Sequence, residues 1–287
     1  MRKKILVTGS KGQLGKKIID LMSDEFDLIL TDSDNMDITD KGMISLFFNK
    51  YKPDYIIHAA AYTQVDKAED NVAICSKVNI DGTRNMALAC KKIGAVLIYI
   101  STDYVFDGKK ISPYEENDKP SPLSVYGDTK FEGENCVKDI CEKYFIIRSS
   151  WVFGELPENH SGTNFVETII RLSKEKSELT IVNDQIGSPT YTKDLVEIIK
   201  EMINKSPAYG IYHFSSTGAC SWYDFAKEIL AQTNTAIELK PITSSEYPQK
   251  AKRPSYSYMD KSKIEKALRI KVRSWQEMLS EYLRINK

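Results

Sequence analysis

The sequence of 287 residues has few of the side chains that build metal centres and disulfide frameworks. Its three histidines, His58, His160 and His213, are far apart and make no metal-ligand spacing. Its five cysteines are scattered and odd in number, and they form no Cys-x-x-Cys pair. We therefore expect no metal site, and reduced thiols in a cytoplasmic protein.

Excess charge and long apolar runs are missing as well. The 40 basic and 40 acidic residues give a formal net charge of zero, so no strong field attracts nucleic acid or an anionic membrane. No stretch approaches the roughly 18 consecutive apolar residues that span a bilayer. The opening MRKKILVTGS does not continue into the longer apolar core of a secretory signal. We expect a cytoplasmic protein with neither a nucleic-acid nor a membrane partner.

Through the first half of the chain, strand-like apolar runs alternate with stretches of helical periodicity. Continuous apolar strands that alternate with helices are typical of a parallel sheet covered on both faces. The predicted strands are 3–9, 26–32, 54–61, 95–101 and 144–150. The predicted helices are 13–24, 41–52, 73–94 and about 124–142.

The pattern changes after Trp151, where residues 154–164 resemble a loop. We predict an α/β protein, with a Rossmann-type doubly wound parallel sheet and a smaller α/β C-terminal substrate-binding lobe. The dinucleotide-binding domain is predicted to span residues 1–150, with a return of the chain at about 180–213. The substrate-binding lobe then comprises 151–179 and 214–287.

The segment VTGSKGQLG joins the first predicted strand to the first predicted helix. Its glycines, Gly9, Gly12 and Gly15, allow a tight turn and a close approach of the backbone to a pyrophosphate. The helix N-terminus offers free N–H groups and a positive dipole end to the same anion. Although any turn between a strand and a helix favours glycine, this context inside a βαβ pattern predicts dinucleotide binding.

Two further segments concern the cofactor. Asp32 closes the second strand, where a carboxylate accepts hydrogen bonds from a ribose 2′-hydroxyl and favours NAD, while no arginine follows to neutralise a 2′-phosphate. An ordinary loop aspartate is the alternative, so the choice between NADPH and NADH stays open. Ala59, Ala60 and Ala61 after the third strand allow close approach of a cofactor, and tight packing of strand on helix explains them equally well.

A candidate catalytic pair follows the fourth strand. Thr102 ends that strand at the carboxyl edge of the sheet, where doubly wound proteins bind ligands. Tyr126 begins the next helix, and Lys130 is four residues later on the same helix face. A lysine near a phenol lowers the tyrosine pKa, and the tyrosine then serves as general acid toward a carbonyl. The second Tyr-x-x-x-Lys pair, Tyr223/Lys227, follows no cofactor-binding unit and is interpreted as a chance pair.

Six motifs together resemble the extended short-chain dehydrogenase/reductases: TGSKGQLG, AAAYTQVDKAE, STDYVFDG, SPLSVYGDTKFEGE, RSSWVFG and NDQIGSPT. Within that group, the chain is most similar to the dTDP-4-dehydrorhamnose reductases over essentially its whole length. The resemblance implies hydride transfer from NADPH or NADH to C4 of dTDP-4-dehydro-L-rhamnose. The product, dTDP-L-rhamnose, would feed surface polysaccharide synthesis.

The resemblance also implies roles for individual residues. Tyr126 is the expected proton donor, Lys130 its partner, and Thr102 the residue that orients the carbonyl. The expected substrate contacts are Thr102, Asp103, Tyr104 and Trp151. With the motifs above, the expected cofactor contacts are Gly9, Gly12, Gln13, Leu14, Gly15, Asp32, Asp37, Ile38, Ala59, Ala60, Ala61, Thr63, Asn79, Tyr126 and Lys130. The expected partner is a dTDP-sugar, and a homodimer is left open.

Three neighbouring activities define the alternatives. Nucleotide-sugar 4,6-dehydratases carry Asp-Glu after the threonine, whereas this chain has Asp103-Tyr104, which favours simple reduction. The loop 154–164 is longer than the family's usual segment, so a reductase or epimerase of another nucleotide 4-keto-6-deoxysugar stays open. A non-catalytic NADP-binding subunit, like the regulatory subunit of methionine adenosyltransferase, is a further alternative.

Overall fold

The central sheet forms because its strands are apolar on both faces. In strand β1 (Lys4–Thr8), Ile5 and Val7 belong to one core cluster and Leu6 to another. Strand β4 (Val96–Thr102) alternates in the same way, with Ile98 in the first cluster and Leu97 in the second. Helices therefore cover both faces of the sheet, as the continuous apolar strands predict.

The computed structural model describes residues 2–157 and 163–285. Part of the predicted loop at 154–164, residues 158–162, lies outside the described residues. The remaining strands are β2 (Asp27–Thr31), β3 (Tyr55–His58), β5 (Tyr144–Ser149), β6 (Val152–Phe153), β7 (Glu178–Val182), β8 (Ile186–Gly187), β9 (Thr190–Tyr191), β10 (Gly210–His213), β11 (Cys220–Ser221) and β12 (Glu238–Ile242). The helices are α1 (Gln13–Met22), α2 (Lys41–Tyr51), α3 (Val65–Ala68), α4 (Val72–Ser76), α5 (Thr83–Ile93), α6 (Val125–Ile140), α7 (Phe165–Glu175), α8 (Thr192–Lys205), α9 (Trp222–Gln232), α10 (Ser262–Leu268) and α11 (Trp275–Ile285).

Six strands make the central sheet in the order β10-β5-β4-β3-β1-β2, and every neighbouring pair is parallel. The chain leaves β1 toward β2 and then crosses to β3 on the other side of β1. Ligands of such sheets bind at this reversal, outside the carboxyl ends of the strands. The predicted doubly wound α/β fold is confirmed.

The smaller lobe is built from short strands and C-terminal helices. Strand β7 pairs with β12 in a separate two-stranded sheet, and the chain rejoins the central sheet through helix α8 and strand β10. Trp275 and Tyr282 of α11 lie in the same core cluster as strands β1 and β4. Sheet and lobe thus share one core, and the domain boundaries given above stay a prediction.

The long helix predicted at 73–94 is not uniform. A π-helical stretch, Lys77–Gly82, separates α4 from α5, and Gly94 closes α5 with a φ of 72°. Asn79 within this stretch hydrogen-bonds Thr129 and the backbone of Tyr62. Gly82 lies so close to Ile38 that an added Cβ would be 2.7 Å from its Cδ1 atom. Such single-turn π bulges often occur at functional sites.

A buried ion pair ties helix α6 to the sheet. Glu134 of α6 and Arg148 of β5 are both fully buried, and the guanidinium donates to both carboxylate oxygens at 2.9 and 2.7 Å. Ser101 of β4 donates to the same carboxylate at 2.6 Å. These hydrogen bonds to Glu134 fix the position of helix α6 relative to β4 and β5.

Replacing Glu134 with Gln should strongly destabilise the protein, because the charge of Arg148 would remain buried without its counter-ion. We expect the free energy of unfolding to fall by about 3–5 kcal/mol, measured by urea denaturation. The matched control is Glu175→Gln, which removes an exposed ion pair with Arg171 and should cost under about 1 kcal/mol. Equal losses in the two variants would contradict this account of the buried pair.

Candidate active site

The glycine segment brings backbone atoms to the end of the sheet. Gly9 has a φ of 69°, and a Cβ there would lie 2.9 Å from the backbone nitrogen of Ala60. A Cβ on Gly15 would lie 2.3 Å from the carbonyl oxygen of Gly9. Only glycine fits at both positions, so the loop folds tightly over the N-terminus of α1.

A cleft of about 820 Å³ runs along this edge of the sheet toward the smaller lobe. It brings together nearly all the residues that the sequence predicts for the site. Those lining it are Gly9, Gly12, Gln13, Leu14, Gly15, Asp32, Asp37, Ile38, Ala59, Ala60, Ala61, Thr63, Thr102, Asp103, Tyr104, Tyr126, Lys130 and Trp151. Asn79 lies behind the cleft, is 1% exposed, and supports the Tyr62 backbone from below.

The end of the cleft beside β2 carries charges of both signs. Asp32 accepts hydrogen bonds from the backbone N–H groups of Lys11 and Ser33, at 3.0 and 2.8 Å. The Lys11 side chain pairs with Asp34 and is two-thirds exposed. Sequence reasoning missed this cation because it looked for an arginine after Asp32. The lysine precedes Asp32 and lies within the glycine segment.

His58 ends strand β3 beneath the alanines that line the cleft. Its ring nitrogens contact the hydroxyls of Thr8 and Thr83 at 2.8 and 3.1 Å. Complete burial lowers the pKa of His58 to about 3, so the ring is neutral. Thr8 also accepts from the Ala60 backbone at 3.1 Å. His58 therefore braces the strand ends, and its role is structural.

Thr102 and Tyr126 meet at the middle of the cleft. Thr102 closes β4, and Tyr126 lies in the first turn of α6, which Ser124 caps through the Gly127 N–H at 3.2 Å. The Thr102 hydroxyl donates to Asp103 Oδ1 at 3.2 Å and accepts from the Tyr104 N–H at 3.1 Å, and it acts to lower the pKa of the Tyr126 phenol. The ring of Tyr104 packs edge-on against that of Tyr126, with centroids 5.6 Å apart.

Burial controls the ionisation of the pair. Desolvation raises the pKa of Tyr126 well above its usual value, although the Thr102 hydroxyl acts against it. Desolvation also lowers the pKa of Lys130 to about 7, against the opposing effects of Glu134 and Cys75. The Lys130 ammonium donates to the Ile100 carbonyl at 2.8 Å. The expected lowering of the Tyr126 pKa is therefore wrong for this arrangement, because burial is the largest influence on that pKa and raises it.

Asp103 and Tyr104 continue the wall beyond Thr102. Burial raises the pKa of Asp103 to about 6, although the Ser257 and Thr102 hydroxyls act in the opposite direction, and Thr102 donates to its Oδ1 at 3.2 Å. Burial raises the pKa of Tyr104 to about 12, although Arg253 acts in the opposite direction. Arg253 is held at 2.7 Å by Asp66. The segment RPSYSYMD thus reaches back to the wall that Asp103 and Tyr104 form.

Aromatic side chains form the wall on the lobe side. Trp151 stacks on Trp222 with ring centroids 3.6 Å apart and planes 10° from parallel. Both rings line the cleft. Asn164 also lines it, and its amide donates to the Gln13 side chain at 3.4 Å and to the Gly154 carbonyl at 2.8 Å. Sequence reasoning missed Trp222 and Asn164, which the fold brings to the cleft from distant segments.

Three other observations bear on the expectations from the sequence. Within residues 2–157 and 163–285, no group of three or more His, Cys, Asp and Glu side chains could hold a metal ion. Tyr223 of the second Tyr-x-x-x-Lys pair lies on α9 in the lobe, where its hydroxyl donates to the Leu239 carbonyl at 3.5 Å. Among the helices described, none is long and apolar enough to cross a membrane.

Known proteins share this whole architecture. The family model described as the RmlD substrate binding domain matches residues 2–287. The dTDP-4-dehydrorhamnose reductase of Escherichia coli is 32% identical over 95% of this chain and 94% of its own. The crystal structure of dTDP-4-dehydrorhamnose reductase from Bacillus anthracis in complex with NADP has a TM-score of 0.95 and 40% identity, covering 100% of both chains. The chain belongs to the dTDP-4-dehydrorhamnose reductase family.

Two further proteins are similar to this chain. The spore coat polysaccharide biosynthesis protein SpsK of Bacillus subtilis is 41% identical over 98% of this chain and 96% of its own. UDP-glucose 4-epimerase of Thermus thermophilus, in complex with NAD, has a TM-score of 0.83 at 20% identity and shares the fold alone.

The buried carboxyl of Asp103 gives a pH-dependent prediction. The folded pKa of Asp103, about 6, exceeds its usual value of 3.8. Burial of this carboxyl therefore costs little stability below about pH 4 and most above about pH 6. Asp103→Asn should therefore raise the free energy of unfolding by about 1–3 kcal/mol at pH 7.5, and by less at pH 5. The measurement is urea denaturation at both pH values.

The control for Asp103 is Asp139→Asn, at an exposed position on α6. It should change the free energy of unfolding by under about 0.5 kcal/mol at either pH. A gain for Asp103→Asn that stays constant between pH 5 and pH 7.5 would rule out titration of this carboxyl as the cause.

Proposed function

We propose that this protein reduces the C4 keto group of dTDP-4-dehydro-L-rhamnose with NADPH or NADH, giving dTDP-L-rhamnose. The observation that carries the proposal is that Thr102, Tyr126 and Lys130 line the same cleft as the glycine segment. Membership of the dTDP-4-dehydrorhamnose reductase family supports the choice of sugar. The likeness to SpsK supports a place in polysaccharide synthesis. A homodimer and a cytoplasmic location stay predictions.

The residues present fit a dinucleotide. Gly9, Gly12 and Gly15 open the backbone to a pyrophosphate at the start of α1. Asp32 is placed to accept from the adenosine ribose, and the alanines after β3 leave room for close approach. A nicotinamide bound in this cleft would supply the hydride for the keto carbon. This chain contributes the orientation of the sugar and the proton.

Tyr126 is the proposed proton donor. Its raised pKa keeps the phenol protonated at neutral pH, so that it can protonate the oxygen on which charge develops. Thr102 donates a second hydrogen bond to that oxygen once the keto group replaces the Asp103 carboxylate as the acceptor of its hydroxyl. After the proton has left, the Lys130 ammonium stabilises the buried phenolate. A fixed donor pair in a largely dry site is what stabilises an alkoxide.

Reduction fits the site better than elimination of water. A dehydratase needs a further acid–base group beside the tyrosine, and the position after Asp103 is occupied by Tyr104. The Tyr104 ring packs on Tyr126, and burial holds its pKa at about 12. Among the neighbouring activities, the intact Thr102, Tyr126 and Lys130 set favours a working reductase over a non-catalytic cofactor-binding subunit.

Tyr126→Phe should abolish most of the reductase activity and leave cofactor binding intact. We expect kcat to fall by roughly 100-fold or more, since general acid catalysis contributes about that much. The assay follows loss of NADPH absorbance with dTDP-4-dehydro-L-rhamnose. Tyr223→Phe is the matched control, because it removes the hydroxyl of the chance pair, and it should react like wild type.

Two results would redirect the proposal. A Tyr126→Phe enzyme with the wild-type rate would show that the proton comes from elsewhere. A wild-type enzyme that binds NADPH but leaves it unconsumed with this sugar would rule out the substrate, and other dTDP-linked 4-keto-6-deoxysugars would then be assayed. Consumption of one of those would retain the reaction type and change the sugar.

Lys11 should favour NADPH over NADH, because it is the cation beside Asp32 at the adenosine end. Lys11→Met should weaken NADPH binding by roughly two- to fivefold, the worth of one exposed charge, and leave NADH binding unchanged. Calorimetry at low and high salt measures both affinities. Lys16→Met is the control, since its side chain pairs with Asp20 on α1. Equal weakening of the two cofactors would exclude a 2′-phosphate contact.

A further inference from the structure

The backbone at Trp151 is unusual for a large side chain. Its φ is 48°, in the left-handed region that residues with a Cβ seldom adopt. The bend lies between β5 and β6, and the Trp151 carbonyl accepts from the Thr190 N–H at 3.2 Å. Such a conformation persists only where the surroundings hold it, and it turns the indole toward the lobe side of the cleft.

Two residues hold the indole in that place. The Trp222 ring lies 3.6 Å away and nearly parallel. Gly187 approaches the indole so closely that an added Cβ would be 2.7 Å from its Cε2 atom. Phe165 packs against Trp222, with ring centroids 4.6 Å apart. The Trp151 indole is thus backed by the rings of Trp222 and Phe165 on one side and by the Gly187 backbone on another.

The position of Trp222 is itself well defined. It is the first residue of α9, directly after the N-cap Ser221, whose side chain accepts from the Asp224 N–H at 2.9 Å while Asp224 accepts from the Ser221 N–H. Strand β11, which contains Ser221, pairs antiparallel with β8, which contains Gly187. One small sheet therefore carries both groups that hold Trp151.

We propose that Trp222 is a positioning residue that holds the Trp151 indole as the wall against which the substrate binds. The inference rests on the proposed function for the identity of that substrate, a dTDP-sugar. The glycine segment and the Thr102–Tyr126 pair belong to other walls of the cleft. The aromatic pair therefore governs substrate affinity, with little effect on proton donation or cofactor binding.

Stacked indoles have a spectroscopic signature that reports whether the Trp151–Trp222 pair is intact. Their electronic transitions couple, and the coupling appears as a pair of opposite-signed circular dichroism bands in the tryptophan region. The chain has three tryptophans, and the third, Trp275, is buried in the core against Phe225. Trp275→Phe should leave the coupled bands and the KM for the dTDP-sugar unchanged, so it is the matched control.

Trp222→Ala should abolish the coupled bands and raise the KM for the dTDP-sugar by about tenfold, the usual worth of an aromatic contact. We expect kcat within about twofold of wild type and an unchanged affinity for NADPH. Trp222→Phe keeps an aromatic face and should restore most of the affinity. Loss of the bands with an unchanged KM would overturn the proposal. Changes in kcat and in NADPH affinity as large as the change in KM would also overturn it.

Gly187→Ala tests the same point without removing an aromatic ring, and it serves if Trp222→Ala fails to fold. The new methyl group should displace the Trp151 ring and raise the KM in the same way. Calorimetry with dTDP-L-rhamnose separates this inference from the proposed function. Binding without any reductase activity in wild type would reject the function alone. Equal binding by wild type, Trp222→Ala and Gly187→Ala would reject the positioning role alone.

Discussion

The buried contact between Glu134 and Arg148 is the constraint on which the geometry of the site depends. It fixes helix α6 against strands β4 and β5, and α6 carries Tyr126 and Lys130. Thr102 stands at the end of β4, one residue beyond the Ser101 hydroxyl that joins the same carboxylate. Thr102 and Tyr126 are thus positioned by a contact that lies beneath the cleft, two helical turns along α6 from the phenol.

Desolvation shapes the chemistry as strongly as position does. The same burial that raises the pKa of Tyr126 lowers that of Lys130 and raises that of Asp103. Tyr126 stays protonated, as a proton donor must. Burial makes the charge on Lys130 costly, so an anion formed beside Lys130 stabilises that charge strongly. The site therefore keeps its acid intact until the reaction itself creates negative charge.

Local patterns predicted the parts of the site that lie within single segments. The glycine segment and the Tyr126–Lys130 pair each follow from residues a few positions apart on one turn or one helix face. The π-helical stretch at Lys77–Gly82 was not predictable in this way, because Asn79 hydrogen-bonds Thr129, fifty positions away. Trp222 and Asn164 reach the cleft through tertiary packing, and nothing adjacent to them in sequence signals it.

The order of the strands has a consequence for synthesis of the chain on the ribosome. Strand β5 has its second neighbour only in β10, and helix α8, which packs on α1, also comes late. At 5–20 residues per second, roughly sixty residues take about 3–12 s to make. During that time, the apolar strand YFIIRS has an open edge, the kind of surface that recruits other chains. The nascent protein is most exposed to aggregation in this interval, before the sixth strand completes the sheet.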